Sequence, residues 1–142
     1  DGIETLEELL RKQSVFGYGK DKNVGAGDFK IENIKQETEL DSVPHPCGFM
    51  SLSSFAPAKN DPTEGYWKLR VKYGKLGETL ACSPNPFKRP LIQFKPGAIF
   101  FAKNGNPRPW YGRVVKNIAP AHPGVIQNCQ TVAIPIHIPD SK

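Results

Sequence analysis

The chain lacks any apolar run long enough to cross a membrane, since a helical span needs about 20 consecutive apolar residues. Cysteine is scarce: Cys47, Cys82 and Cys129 are three and widely spaced. An odd number argues against a full disulfide framework, and the spacing fits no zinc motif. Buried, reduced thiols are the expectation, with one bridge plus one free thiol as the alternative. No basic-then-apolar start marks a secretory signal. The sequence opens on Asp1 and an acidic segment, as a mature or processed fragment also would. Gly25-Ala26-Gly27 is too short for a phosphate cradle and has no following Lys-Ser/Thr. No cofactor and no metal are expected.

The most conspicuous absence is of negative charge. Residues 79–139 contain no Asp or Glu. Residues 1–78 carry 11 basic and 13 acidic side chains, a net −2, whereas residues 79–142 carry 8 basic and 1 acidic, a net +7. Such one-sided placement produces a directed field. It suits an anionic partner: a nucleic acid, a sulfated glycan or an acidic protein face. The plainer alternative is that these bases face the acidic first half within the fold. The candidate binding residues are Lys88, Arg89, Lys103, Arg108, Trp110, Tyr111 and Arg113.

What is present points to β structure. Hydrophobic residues make up 38%, low for a globular chain, while Pro 14 and Gly 13 favour turns and long loops over a helix bundle. A length of 142 suits one domain, with residues 1–28 as helix plus flexible arm and 29–142 as β core.

Residues 91–115 look most like the folding core. Ala98-Ile-Phe-Phe-Ala102 is a short apolar run of strand formers, and Asn104-Gly105 supplies the positive φ of a hairpin turn. A second strand would start at Trp110, with Trp110, Gly112 and Val114 on one face and Tyr111, Arg113 and Val115 on the other. Pro107 and Pro109 lengthen the loop and remove ladder donors.

Elsewhere, Thr5-x-x-Glu8 fits a capping box for a helix over residues 5–13, with an apolar stripe of Ile3, Leu6, Leu9 and Leu10. Residues 29–35 alternate imperfectly and read as a strand. Residues 49–55 form another, and residues 56–65 an exposed loop. Residues 66–73 give the cleanest alternation, with Trp67, Leu69, Val71 and Tyr73 inward and Tyr66, Lys68, Arg70 and Lys72 outward. In residues 131–138, Val132, Ile134, Ile136 and Ile138 share a face, and Pro135 predicts a sheet edge or bulge.

Catalytic constellations are thin. His45 stands beside Cys47, a spacing compatible with a Cys-His pair. Ser53 or Ser54 with His45 and Asp61 would make a hydrolytic triad. Trp67, Trp110, Tyr111, Phe100 and Phe101 would serve either as core or as an aromatic cage.

The order Pro96-Gly-Ala-Ile-Phe-Phe101, a Lys-Asn-Gly turn, Pro109-Trp110 and Val114-Val115 resembles the protruding domain of insect picorna-like (iflavirus) capsid proteins, over residues 49–135. The resemblance implies a small closed sheet on a virion surface or in an extracellular setting, with an intracellular location left open. Some members carry an Asp-His-Ser cluster; Ser53-Ser54-Phe55 stands at the matching place here, without the histidine. Gly97, Ala102-Lys103, Gly105, Pro109-Trp110 and Arg113-Val-Val115 also resemble PWWP-type chromatin readers, though that motif opens its domain and helices follow it.

The expectation is therefore a mainly β protein: a single antiparallel sheet or a partly open barrel or sandwich, with one short N-terminal helix and long Pro/Gly-rich loops. Its expected role is that of a non-enzymatic structural and attachment module, partnered by other subunits of a larger assembly. The alternatives are a small barrel binding nucleic acid or another polyanion through its basic, aromatic face, and a Ser/His/Asp hydrolase.

Overall fold

A computed structural model of the chain describes residues 2–19, 27–35, 38–40, 42–102 and 107–138. These fall in two compact units, Asp1–Glu37 and Thr38–Lys142.

The first unit is built on α1 (Gly2–Phe16). The helix starts three residues earlier than the capping-box signal, so Thr5 lies inside it and is not its cap. Glu7–Arg11 and Glu8–Lys12 are bonded one turn apart along an exposed face, where such pairs add a few tenths of a kcal/mol. Leu6 and Leu9 of the apolar stripe are exposed. Residues 29–35 form no strand. Their alternation is broken at Asn33 and Ile34, and they acquire no ladder partner.

Among the described residues the second unit holds seven strands: β1 (Gly48–Ser51), β2 (Gly65–Tyr66), β3 (Leu69–Lys72), β4 (Leu91–Phe94), β5 (Ile99–Phe101), β6 (Trp110–Val115) and β7 (Gln127–Ile136). Five make an antiparallel sheet in the order β2-β5-β1-β7-β6, and β3 pairs with β4 in a separate two-stranded sheet. The fold is mainly β, as its composition suggests, and the sheet is open rather than closed into a barrel.

β5 and β6 do not form the expected hairpin. Both edges of β5 are filled, by β2 and by β1, so β6 joins β7 at the far edge of the sheet. The crossing spans three strand intervals, about 14 Å at ~4.8 Å each. The eight residues between Phe101 and Trp110 reach up to ~26 Å extended. The Asn104-Gly105 turn and Lys103 lie outside the described residues, as does most of Gly25-Ala26-Gly27.

The strand expected over residues 66–73 is divided. Tyr66 pairs with Ile99 in the large sheet, while Leu69 pairs with Phe94 in the small one. Trp67 sits at the switch, its indole N–H donating to the Thr63 carbonyl. Beyond the switch the chain forms a long two-stranded ribbon. Its ladder runs from Lys95 N–H to Lys68 C=O, through β3–β4, to Lys88 N–H on Gly74 C=O and Leu76 N–H on Pro86 C=O. A 3₁₀ turn, Glu78–Cys82, follows the outgoing strand. Trp67, Leu69, Val71 and Tyr73, expected inward, are all exposed. Val71 pairs with the exposed Ile92, whereas the buried Leu91 and Gln93 of β4 pair with Lys72 and Arg70, so the ribbon packs through the face opposite to the expected one.

The core lies where the ribbon base meets the sheet. Phe49, Phe55, Phe94, Ala98, Phe100, Tyr111 and Ala133 form one buried cluster. The Phe55–Phe94 bridge and edge-to-face contacts of Phe55 and Phe94 with Phe100 tie the two sheets together. Ala56, Leu91 and Cys129, with Val115 against them, form a second cluster. The loop of residues 56–65 is less exposed than expected, since Ala56 and Asp61 are buried.

β7 is interior, not an edge, yet Pro135 fits. β6 reaches only as far as Val132, so beyond it β7 is flanked by β1 alone. Leu52 N–H bonds Val132 C=O on the β1 side, and Ala133 N–H bonds Pro109 C=O on the other. By strand alternation the Pro135 nitrogen points to that other, open flank, where a missing donor leaves no partner short.

Candidate functional site

The expected binding residues separate in space. Tyr111 is a core residue, 3% exposed and stacked on Phe49. Arg108 pairs with the buried Asp61 carboxylate at 2.5 Å, and its guanidinium lies over the Tyr111 ring. Its charge is largely committed to the fold. Trp110 is half exposed on β6 and Arg113 is exposed three residues on. Trp67 and Trp110 flank opposite edges of the five-stranded sheet, about 19 Å apart at four strand spacings, so they share no cage. Phe100 is in the core.

The catalytic candidates do not assemble. Asp61 accepts from Arg108, from Ala58 N–H and from Gly112 N–H. Ser54 Oγ accepts from Arg70, and Ser53 is held by its own N–H on Thr131 Oγ1. Cys47 Sγ accepts from Ile138 N–H, while the His45 carbonyl is bonded by His137 Nδ1. Sequence spacing gave no hint of one further pair, His122 Nε2 at 3.0 Å from Ser83 Oγ. The Ser83 hydroxyl donates its one proton to the Leu80 carbonyl. With that proton so placed, His122 donates to Ser83 from its Nε2–H tautomer, the wrong polarity for activating a nucleophile.

All three cysteines are free: Cys82 is exposed, Cys47 half-buried and Cys129 buried. Only Cys129 matches the expectation of a buried thiol. Burial pushes its pKa up from 9.0, partly offset by the Gln93 side chain and by the charges of Lys72, Arg113 and Lys88.

Lys88 and Arg89 are brought together with Lys72 and Lys75, from the facing strand of the ribbon, around a cavity of about 170 Å³. Leu91, Ile118 and Gln127 contribute its remaining side chains. Lys88 Nζ donates to Gln127 Oε1 at 2.8 Å, and Arg89 N–H to the Ile118 carbonyl at 2.7 Å. None of the lining residues is acidic. A larger, open depression of about 530 Å³ lies at the ribbon base, between Tyr66-Trp67-Lys68 and Lys95-Pro96-Gly97.

The other unusual surface is the outer face of the five-stranded sheet. The registers place Tyr66, Ile99, Met50, Ile134, Val132 and Trp110 on it in succession across the sheet. Tyr66 is 64%, Val132 61% and Trp110 51% exposed. Leu52, opposite Val132, and Val114 add to it. Phe49, Phe100 and Tyr111 occupy the inner face. An antiparallel sheet with one solvated face normally makes that face polar; here both faces are apolar.

No family model matches the chain, and no curated protein or solved structure is significantly similar to it.

Proposed function

We propose that this chain is a non-enzymatic structural and attachment module that works as part of a larger assembly, in the manner of a virus-particle surface domain. The observation that carries this reading is the apolar outer sheet face, which runs from Tyr66 at one edge to Trp110 at the other. A contiguous apolar patch across a whole sheet marks an interaction surface, and removing it from water against another subunit is favourable in proportion to its area. The likeness of Pro96-Gly-Ala-Ile-Phe-Phe101 and Pro109-Trp110 to insect picorna-like capsid domains supports the same reading. So does the dispersal of His45, Ser53, Ser54 and Asp61 into unrelated structural bonds.

The test is sedimentation velocity of the chain, with binding of an apolar fluorescent dye. Val132 and Tyr66 have large exposed fractions, so Val132→Lys and Tyr66→Lys leave the fold intact by circular dichroism. The native chain associates with rising concentration and binds dye; the double variant does neither. A native chain that stays monomeric and dye-free would overturn the reading.

A further inference from the structure

The ribbon carries a second surface whose chemistry is different. From Gly65 to Ile138 the sequence has one acidic residue, Glu78. Within that stretch the hairpin register sets Lys72 and Lys75 on one strand against Lys88 and Arg89 on the other. All four border the same cavity, with Ile118 and Gln127 opposite. We propose that this cavity binds one tetrahedral oxyanion, a phosphate or sulfate group, through Lys72, Lys75, Lys88 and Arg89.

Three features support this. First, four like charges around one cavity repel one another, and no carboxylate among the lining residues offsets them. A bound anion removes that repulsion. The Cys129 thiol, buried within the field of Lys72 and Lys88, has its pKa raised further above 9.0 by burial and adds no negative charge at neutral pH.

Second, the donors are partly preorganised. Lys88 Nζ is already fixed on Gln127 Oε1, and the Arg89 backbone is anchored on Ile118. Lys88 N–H also closes the ribbon ladder on Gly74. Ordering costs that weaken binding by long side chains are thereby reduced. Arg89 supplies a planar fork, and the lysines supply point charges with rotatable donors.

Third, the size and lining select the group. A volume of about 170 Å³ equals that of roughly five or six waters at ~30 Å³ each. It admits an oxyanion and its ester carbon. No aromatic side chain lines the cavity, so a base would find nothing to stack on. Recognition falls on the oxyanion itself. The site lies on the ribbon, and its existence does not depend on the outer sheet face.

The test is an amide NMR titration of the full 142-residue chain with inorganic phosphate and, separately, inorganic sulfate. Ionic strength is held constant with chloride. The expected result is saturable shifts centred on Lys72, Lys75, Lys88 and Arg89. Lys75→Gln with Arg89→Gln should weaken binding at least tenfold, with the rest of the spectrum unchanged, and Lys75→Arg should bind like the native chain. A stronger response to one anion identifies the ester that the site takes. Shifts that never saturate, that spread equally over Lys68, Arg70 and Lys95, or that survive the double substitution would overturn the proposal. So would binding confined to a long oligonucleotide with every basic residue contributing alike, which is condensation on a polycation and not a site.

Discussion

Asp61 and Arg108 lie 47 residues apart in sequence and meet at 2.5 Å, the Asp61 side chain 2% exposed and the Arg108 side chain 52% exposed. The carboxylate also accepts from the N–H groups of Ala58 and Gly112. It thus holds its own loop, the segment before β6 and the middle of β6 at one point. Asp61→Ala leaves two backbone donors unpaired and is expected to cost about 3 kcal/mol. Arg108→Ala leaves those two bonds in place and lets water reach the carboxylate, so a smaller loss, about 1 kcal/mol, is expected. Urea denaturation of the two variants measures the ranking. Equal losses would mean that the charge pair, not the backbone bonds, dominates.

Tyr111 stacks on Phe49 with ring centroids 3.7 Å apart, and its hydroxyl accepts from Arg108 N–H at 2.9 Å. Tyr111→Phe keeps the stack and removes the acceptor, so a loss of about 1 kcal/mol is expected. Phe49→Ala opens a cavity at the centre of the core and should cost about 3–5 kcal/mol. Midpoint shifts in the same denaturant series separate the two contributions.

Gly112 sits inside β6 with φ +102, and a Cβ there would run into the Cys129 carbonyl and Gln130 Cα. Gly97 also has positive φ, +77, but a Cβ there would meet open space. Gly97→Ala therefore carries only the left-handed backbone cost, about 1 kcal/mol. Gly112→Ala carries that and a backbone collision, and should lower the melting temperature several-fold further. Comparable shifts for both would show that β6 relaxes away from β7.

The cysteines should react in order of exposure: Cys82 first, Cys47 next, Cys129 only on unfolding. Cys129 also leaves a signature in pH. Its pKa is raised by burial above 9.0. Its contribution to stability is therefore fully present below 9.0, where both states are protonated. Above 9.0 the unfolded chain ionises while the folded thiol does not, and stability falls until the folded thiol also titrates. Cys129→Ala should lower stability at neutral pH yet show a shallower decline above pH 9. Parallel curves would show that the folded thiol ionises normally.

Composition and pattern were enough to determine the class of this protein. Much proline and glycine and short runs such as Ala98-Ile-Phe-Phe mark a β-rich chain, and the capping-box signal before an apolar stripe marks its one short helix. Residues 131–136 and 110–115 fall within strands where their side chains require it, while His137 and Ile138 of the expected run lie beyond the end of β7. Those properties are local: whether a residue suits a pleated strand depends on its own shape and its neighbours in sequence.

Pairing was decided by tertiary structure. Asn104-Gly105 is a strong hairpin signal, but β5 had no free edge once β1 and β2 had bonded to it, so β6 went to β7. The run over residues 66–73 has one period, yet it serves two sheets because Tyr66 and Leu69 find different partners. Arg108 was legible as a binding charge and Asp61 as a triad acid in an exposed loop, and only their meeting makes them a staple. Lys72 and Lys75 join Lys88 and Arg89 for the same reason. Which groups face one another across a ladder depends on register between distant segments, and register is fixed by burial of a shared core.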